Sequence, residues 1–205
     1  MFYDPSRGHD LAHNPLNALI VPRPIGWIST LDPQGQANLA PYSFFNCVAY
    51  TPPQVMFAAT SNHSHGGFKD SIKNAQETGE FVVNLATWDL REQMNASAVP
   101  APSNVDEFDY AGLTKAPSQC VQPPRVAESP VHLECVYTQT VHLPSNNADG
   151  SNTVVFGQIV GVHIADFAIV DGKVDTLKLQ PIGRLGYLDY VHVNNIFSMD
   201  RPTWP

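Results

Sequence analysis

The sequence predicts a mainly β fold, an antiparallel barrel carrying a few helices. Short apolar runs recur between turn signals, helical spacing is confined to brief stretches, and no βαβ rhythm links them. Ile25–Leu31 (IGWISTL) is apolar and β-branched, and DPQG follows it. Pro33 after Asp32, then Gly35, suit a tight turn, and Ala37–Ala40 resumes the strand pattern. Ile25–Pro41 therefore reads as a hairpin. Gln54–Ala59 (QVMFAA) is a further short strand, set off by Pro52 and Pro53.

Phe68, Ile72 and Ala75 lie at helical spacing, and Gly79 stands where a glycine ends a helix. Phe81–Leu85 (FVVNL) is a strand. Asp89–Ala98 is expected to be a helix, with Asp89 and Glu92 as a capping-box start and Leu90 and Met94 on one face. The proline-punctuated stretch 100–130 reads as an ordered surface connection, with a helical turn in DEFDYAGL. Val131–Leu143 alternates. Val131, Leu133, Cys135, Tyr137, Val141 and Leu143 are expected on a buried face, and His132, Glu134, Thr138, Thr140 and His142 on a solvated one. Thr153–Ile164 is apolar on both faces and so central, and Asp171-Gly172 marks another turn. Residues 1–205 are expected to form a single domain.

The 205 residues suffice to bury a core without staples. Charged residues are sparse, at 15%, and the net charge is −8 with a pI near 5.3. That balance excludes a nucleic-acid partner, which would require clustered Lys and Arg. No apolar run is long enough to span a membrane, and the N-terminus lacks a signal-peptide pattern. Cys47, Cys120 and Cys135 have no metal-ligand spacing and read as buried free thiols of a cytoplasmic protein.

Three stretches carry candidate chemistry. In ANLAPYSFFN (Ala37–Asn46), Ser43 and Asn46 stand among Tyr42, Phe44 and Phe45, after Pro41. Such a stretch can wall a flat ring system and bond its polar edge. Core aromatics beside turn-satisfying polar groups explain it equally, and on chemistry alone are preferred. In SNHSHGGFKDSIKN, Ser61, Ser64 and Lys69 are types that hold a phosphate, and Gly66-Gly67 allow close approach. An ordinary loop and helix start is the commoner alternative. His63 and His65 read as an exposed pair. In PIGRLGY, Arg184 lies between glycines, suited to an anion or simply to a turn, and Arg23 in PRPIGW has the same two readings.

Taken in order, PRPIGWIST, NLAPYSFFN with PPQVMF, FKDSIKNAQETGEFVVNL, PPRVAESPVHLEC, VVFGQIVGVHI and PIGRLGY resemble the flavin reductase-like family, the FMN-binding split barrels, and within it the flavoredoxin-type branch. The blocks run from Val21 to Tyr187. The resemblance implies a split β-barrel that forms a homodimer and binds FMN near the subunit interface. It implies that Thr30 and Pro41–Asn46, including Tyr42, Ser43 and Phe44, line the ring and ribityl chain. Ser61, Lys69 and Asp70 would lie at the phosphate end or beside ribityl hydroxyls, Asn84 would close the pocket, and Arg184 would add a polar contact. The implied activity is electron transfer from NAD(P)H through flavin to a downstream acceptor, which can be a redox partner protein. Many reductases of the family carry a histidine just before the VVFGQIV-type strand, whereas Asn152 stands near that place here. This departure admits a flavoredoxin-like carrier that does not oxidise NAD(P)H itself. The few titratable residues in the implied pocket admit a non-catalytic flavin-binding protein.

Overall fold

The computed structural model describes residues 1–62, 67–146 and 150–204. Its main sheet has seven antiparallel strands: β2 (Gly26–Leu31), β3 (Ala37–Tyr42), β4 (Phe45–Tyr50), β5 (Pro53–Ala59), β6 (Glu80–Leu85), β9 (Val131–Leu143) and β10 (Asn152–Ile164). Three short ladders accompany it. β1 (Arg23–Pro24), β13 (Ile182–Arg184) and β14 (Tyr190–His192) form one. β7 (Lys115–Ala116) pairs with β8 (Arg125–Val126), and β11 (Ile169–Val170) with β12 (Lys173–Val174). The helices are α1 (Leu16–Leu19), α2 (Asp70–Thr78), α3 (Arg91–Ala96), α4 (Glu107–Ala111) and α5 (Thr176–Leu179).

The strand order β3-β2-β6-β9-β10-β5-β4 forces closure. β3 and β4 lie at opposite ends of the sheet, yet only Ser43 and Phe44 separate them. Across seven flat strands the ends would be roughly 29 Å apart. Two linking residues reach only about 10 Å. The sheet must therefore roll up until its edges meet at the Ser43–Phe44 corner. The amide of Ala58 donates to the Phe44 carbonyl there, at 2.8 Å.

The predicted hairpin forms in register, Thr30 opposite Asn38 and Gly26 opposite Tyr42. Its turn has Gly35 at φ +85, with the Gly35 amide donating to the Asp32 carbonyl. α2 ends as expected at Gly79, φ 79. The core falls into two clusters on opposite faces of β2. Ile28 packs inside the barrel with Phe57, Phe81 and Val155. Trp27 packs outside it with Leu39, Met94, Phe108 and Val126, under the cover of α3 and α4. Covered on both faces, β2 has no polar alternation to show.

Three expectations are corrected. The helix after Trp88 spans only Arg91–Ala96, and its N-cap Leu90 makes no side-chain capping bond. Upstream the backbone is tied into a bridge, Thr87 to Pro181, with the Trp88 amide bonding Gln180, so Asp89 cannot cap. The half-solvated reading of β9 holds for Cys135, Thr138 and His142 but fails at both ends. At the far end Val141 and Leu143 are exposed. His132 and Glu134 are buried, because the 117–126 segment lies over the face the alternation assigned to water. Of the cysteines, only Cys135 is buried, while Cys47 and Cys120 are exposed.

Candidate functional site

A cavity of about 140 Å³ opens between β3, the start of α2 and the 97–101 loop. Pro41, Tyr42, Lys69 and Asp70 line it, with Ser71 and Glu107. β3 places Pro41 and Tyr42 here because Tyr42 is the last residue before the corner. Lys69 is the N-cap of α2, in extended backbone, and makes no ion pair with a described residue. The amides of Ile72 and Lys73 both donate to the Lys69 carbonyl, and the aligned peptide dipoles of α2 give this end a positive field.

Burial shapes the protonation of the groups at the base of the cavity. Burial pushes the Tyr42 hydroxyl up to about 12. A bond with Ser71 works against this, and the Asp70 and Glu107 carboxyls work with it. Burial also raises Glu107, against bonds from the Leu39 amide and the Asn38 side chain. Tyr42 thus stays a hydrogen-bond donor at ordinary pH. Its ring packs on Phe57 at 5.0 Å.

The remaining candidates fall into separate places. Ser43 and Phe44 form the barrel corner, where Arg23 donates to the Ser43 hydroxyl at 3.3 Å and lies 5.8 Å from the Phe44 ring. Asn46 is exposed on edge strand β4, its side-chain oxygen accepting from the Cys47 amide. Ser61 is exposed beyond the end of β5. Thr30 is buried, and its hydroxyl accepts from Asn74 of α2 at 3.1 Å. It holds the helix rather than lining the cleft. Asn84 is likewise buried in the barrel wall. Its amide donates to the Trp27 carbonyl and the Ser29 hydroxyl and accepts from the Val126 amide. Asn84 is not among the residues that line the cavity at Tyr42. Arg184 lies apart, beside Arg23 in the β1–β13 ladder. His63, Ser64, His65 and Gly66 lie outside the described residues.

Glu107, Ser71 and Asn38 join this cavity without having been singled out. Asn38 and Ser71 bond each other at 2.7 Å. The one local signal for Glu107 is the Asp106 cap that starts its helix, with Asp106 accepting from the Phe108 amide.

A family model, the flavin reductase like domain, matches residues 18–177. The chain belongs to the flavin reductase-like family. It is 35% identical over 184 residues to a protein of Halalkalibacterium halodurans, covering 90% of this chain and 88% of that one. Among solved structures it is similar to nitrilotriacetate monooxygenase component B from Bacillus cereus, 29% identical with a TM-score of 0.84, over 94% of this chain and 100% of that chain. It also resembles 2-nitrobenzoate 2-nitroreductase NbaA of Pseudomonas fluorescens, 28% identical with a TM-score of 0.79, over 92% and 89% of the two chains. Flavoredoxin of Desulfovibrio vulgaris (Miyazaki F) shares the fold, with a TM-score of 0.76 at 19% identity over 94% and 96%. The split barrel of this flavin reductase-like chain is thus the one the sequence blocks implied. No helix among the described residues is long and apolar enough to cross a membrane.

Proposed function

We propose that this chain is an FMN-binding oxidoreductase of the flavin reductase type. It takes electrons from NAD(P)H through flavin to a downstream acceptor, as a single-domain homodimer in the cytoplasm. The observation that carries this reading is one short run of chain leading away from the cavity. It runs from the cavity at Pro41 and Tyr42, around the corner at Ser43 and Phe44, to Asn46 on the free edge of the sheet. Rings and uncharged polar groups alternate along it, which suits a flat heterocycle. Lys69 at the start of nine-residue α2, with Ser61 on the neighbouring loop, suits a dianionic tail.

The donor set fits the group, but the volume in one chain does not. Ligand sites measure about 300–1,000 Å³, against about 140 Å³ here. A second copy supplying the opposite wall reconciles the two. Asp70 and Glu107 would repel a phosphate, so the tail belongs toward Lys69 and Ser61, and Asp70 toward ribityl hydroxyls. Thr30 and Asn84 act from behind, fixing α2 and the barrel wall. Bound flavin would supply the redox step itself, while the protein orients the ring and excludes water.

The purified protein is expected to be yellow, and anaerobic NADH or NADPH to bleach its visible absorbance. Bound FMN that neither nucleotide bleaches would remove the reductase activity. One observation favours a second reading, a flavoredoxin-like carrier. Asn152 spends its amide on the Pro144 carbonyl at 2.8 Å, bracing the hairpin where many reductases have histidine. Such a carrier would be reduced by dithionite or a low-potential protein, yet not by either nucleotide.

A further inference from the structure

A second cavity, about 390 Å³, lies between the N-terminal segment and the turn after β13. Arg23, Arg184, His13, Asn14, Asn17 and Tyr187 are among its lining residues. The two arginines stand directly opposite each other in the β1–β13 ladder. Like charges so placed repel. Neither has a carboxylate partner among the described residues. Arg23 is only 7% exposed. It donates to the carbonyls of Asn17, Ile20 and Leu185 and to the Ser43 hydroxyl. Those bonds occupy four of its five N–H hydrogens and leave its charge unneutralised. Arg184 donates to the Tyr187 carbonyl and stacks on Tyr190 at 4.4 Å.

The chain's glycines hold this pair together. A Cβ at Gly186 would meet the Ala18 Cβ at 2.5 Å, so only glycine lets α1 seat against the turn. A Cβ at Gly183 would approach the Arg23 carbonyl at 3.1 Å. In a protein with 19 acidic and 11 basic residues, two uncompensated guanidiniums beside one cavity are conspicuous. Burying such charge is costly unless an anion joins it.

We propose that this cavity is an oxyanion site, built by Arg23 and Arg184 and flanked by His13, for the phosphate of a small phosphorylated molecule other than the flavin. Arg184 has guanidinium hydrogens to offer phosphate oxygens, and Arg23, held by its carbonyl partners, adds positive charge beside them. The position has a further meaning that rests on the proposed function. Arg23 touches Ser43 and Phe44, so a molecule anchored here extends toward the flavin-lining wall. The site anchors a phosphorylated reaction partner beside that wall.

Inorganic phosphate alone is the probe. Phosphate at ten times its dissociation constant is expected to raise the unfolding midpoint by about 3–6 °C, beyond a sodium chloride control of equal ionic strength. Arg184→Gln, with circular dichroism confirming its fold, is expected to bind phosphate about tenfold more weakly. Lys69→Ala is expected to keep the full shift. The proposal is overturned by a shift no larger than with chloride, or by one lost in Lys69→Ala and retained in Arg184→Gln. It is also overturned by Arg184→Gln weakening FMN while sparing riboflavin, since the arginine would then serve the flavin's own tail. None of these readouts requires NAD(P)H to bleach the flavin, so the reductase reading stands or falls separately.

Discussion

Lys69 separates one part of a ligand from another. Only FMN carries a phosphate, so Lys69→Ala is expected to weaken FMN by about 1–3 kcal/mol and to leave riboflavin nearly unchanged. Calorimetry with both ligands checks this, and equal losses would place the ammonium elsewhere. A second residue-scale prediction concerns His132. Its Nε2 lies 2.8 Å from the Val126 carbonyl, which can only accept, so Nε2 carries the hydrogen. Nδ1 then accepts from Arg125 at 3.4 Å. A proton on Nδ1 would face a guanidinium. Burial first, then Arg125 and His163, lower its value to about 4, against the Val126 bond and Glu134. The unfolded chain therefore binds a proton that the folded chain refuses between about pH 6.5 and 4. Stability is full above that window and falls by on the order of 2 kcal/mol as pH drops through it. Burial opposes ionisation of Glu134, but the amides of Gln119 and Cys120 and the His163 ring outweigh it and hold its carboxyl low. Its loss comes at still lower pH. Urea midpoints from pH 7 to 4 are expected to slope less in His132→Leu than in the wild type. Parallel slopes would assign the pH dependence to other groups. The burial of His132 and of Asn84 was not legible in the sequence, because the segment up to Val126 that covers them is irregular and leaves no local period.

The elements that were legible are those whose cause is local. The hairpin of Gly26–Leu31 and Ala37–Tyr42 follows from DPQG, and α2 from its spacing and Gly79. β9 was legible as a strand but not as a buried one, since its cover comes from a non-repetitive segment. α3 lost its first turn to a long-range bridge with Pro181. The role of Gly26 was equally hidden, because it depends on a neighbour across the barrel corner. A Cβ there would meet the Phe45 ring at 2.6 Å. Phe45 is pinned in turn, opposite Phe57 in the β4–β5 ladder. Gly26→Ala therefore forces Phe45 off its rotamer or opens the Ser43–Phe44 corner. The expected cost is about 1–3 kcal/mol in denaturant midpoint. Because the corner carries the proposed wall, FMN affinity should fall as well. Gly26→Ala at wild-type stability would show that Phe45 yields freely.

At the scale of the whole molecule, the surface exceeds that of a compact monomer, and the proposed homodimer would cover part of it. The chain exposes 12364 Å², whereas a compact monomer of 22.4 kDa exposes about 9,400 Å². Val160, Val162 and Ile164 of β10 are exposed, as are Phe197, Met199 and Trp204 of the C-terminal arm. Val162 pairs with Leu133 and Ile164 with Val131, so these side chains make one continuous apolar strip on the β9–β10 ladder. Strips of this kind mark contact surfaces. The undersized cavity at Tyr42 points the same way, since a second copy would provide both the cover and the missing wall. Light scattering is expected to give about twice the 22.4 kDa chain mass. Val162→Asp places a charge in the strip without touching either core cluster. It is expected to yield single chains with unchanged circular dichroism and to release flavin on gel filtration, though Val162 lines neither cavity. Loss of the dimer with flavin fully retained would mean that one chain holds the ring unaided, and that the wall must be sought within it.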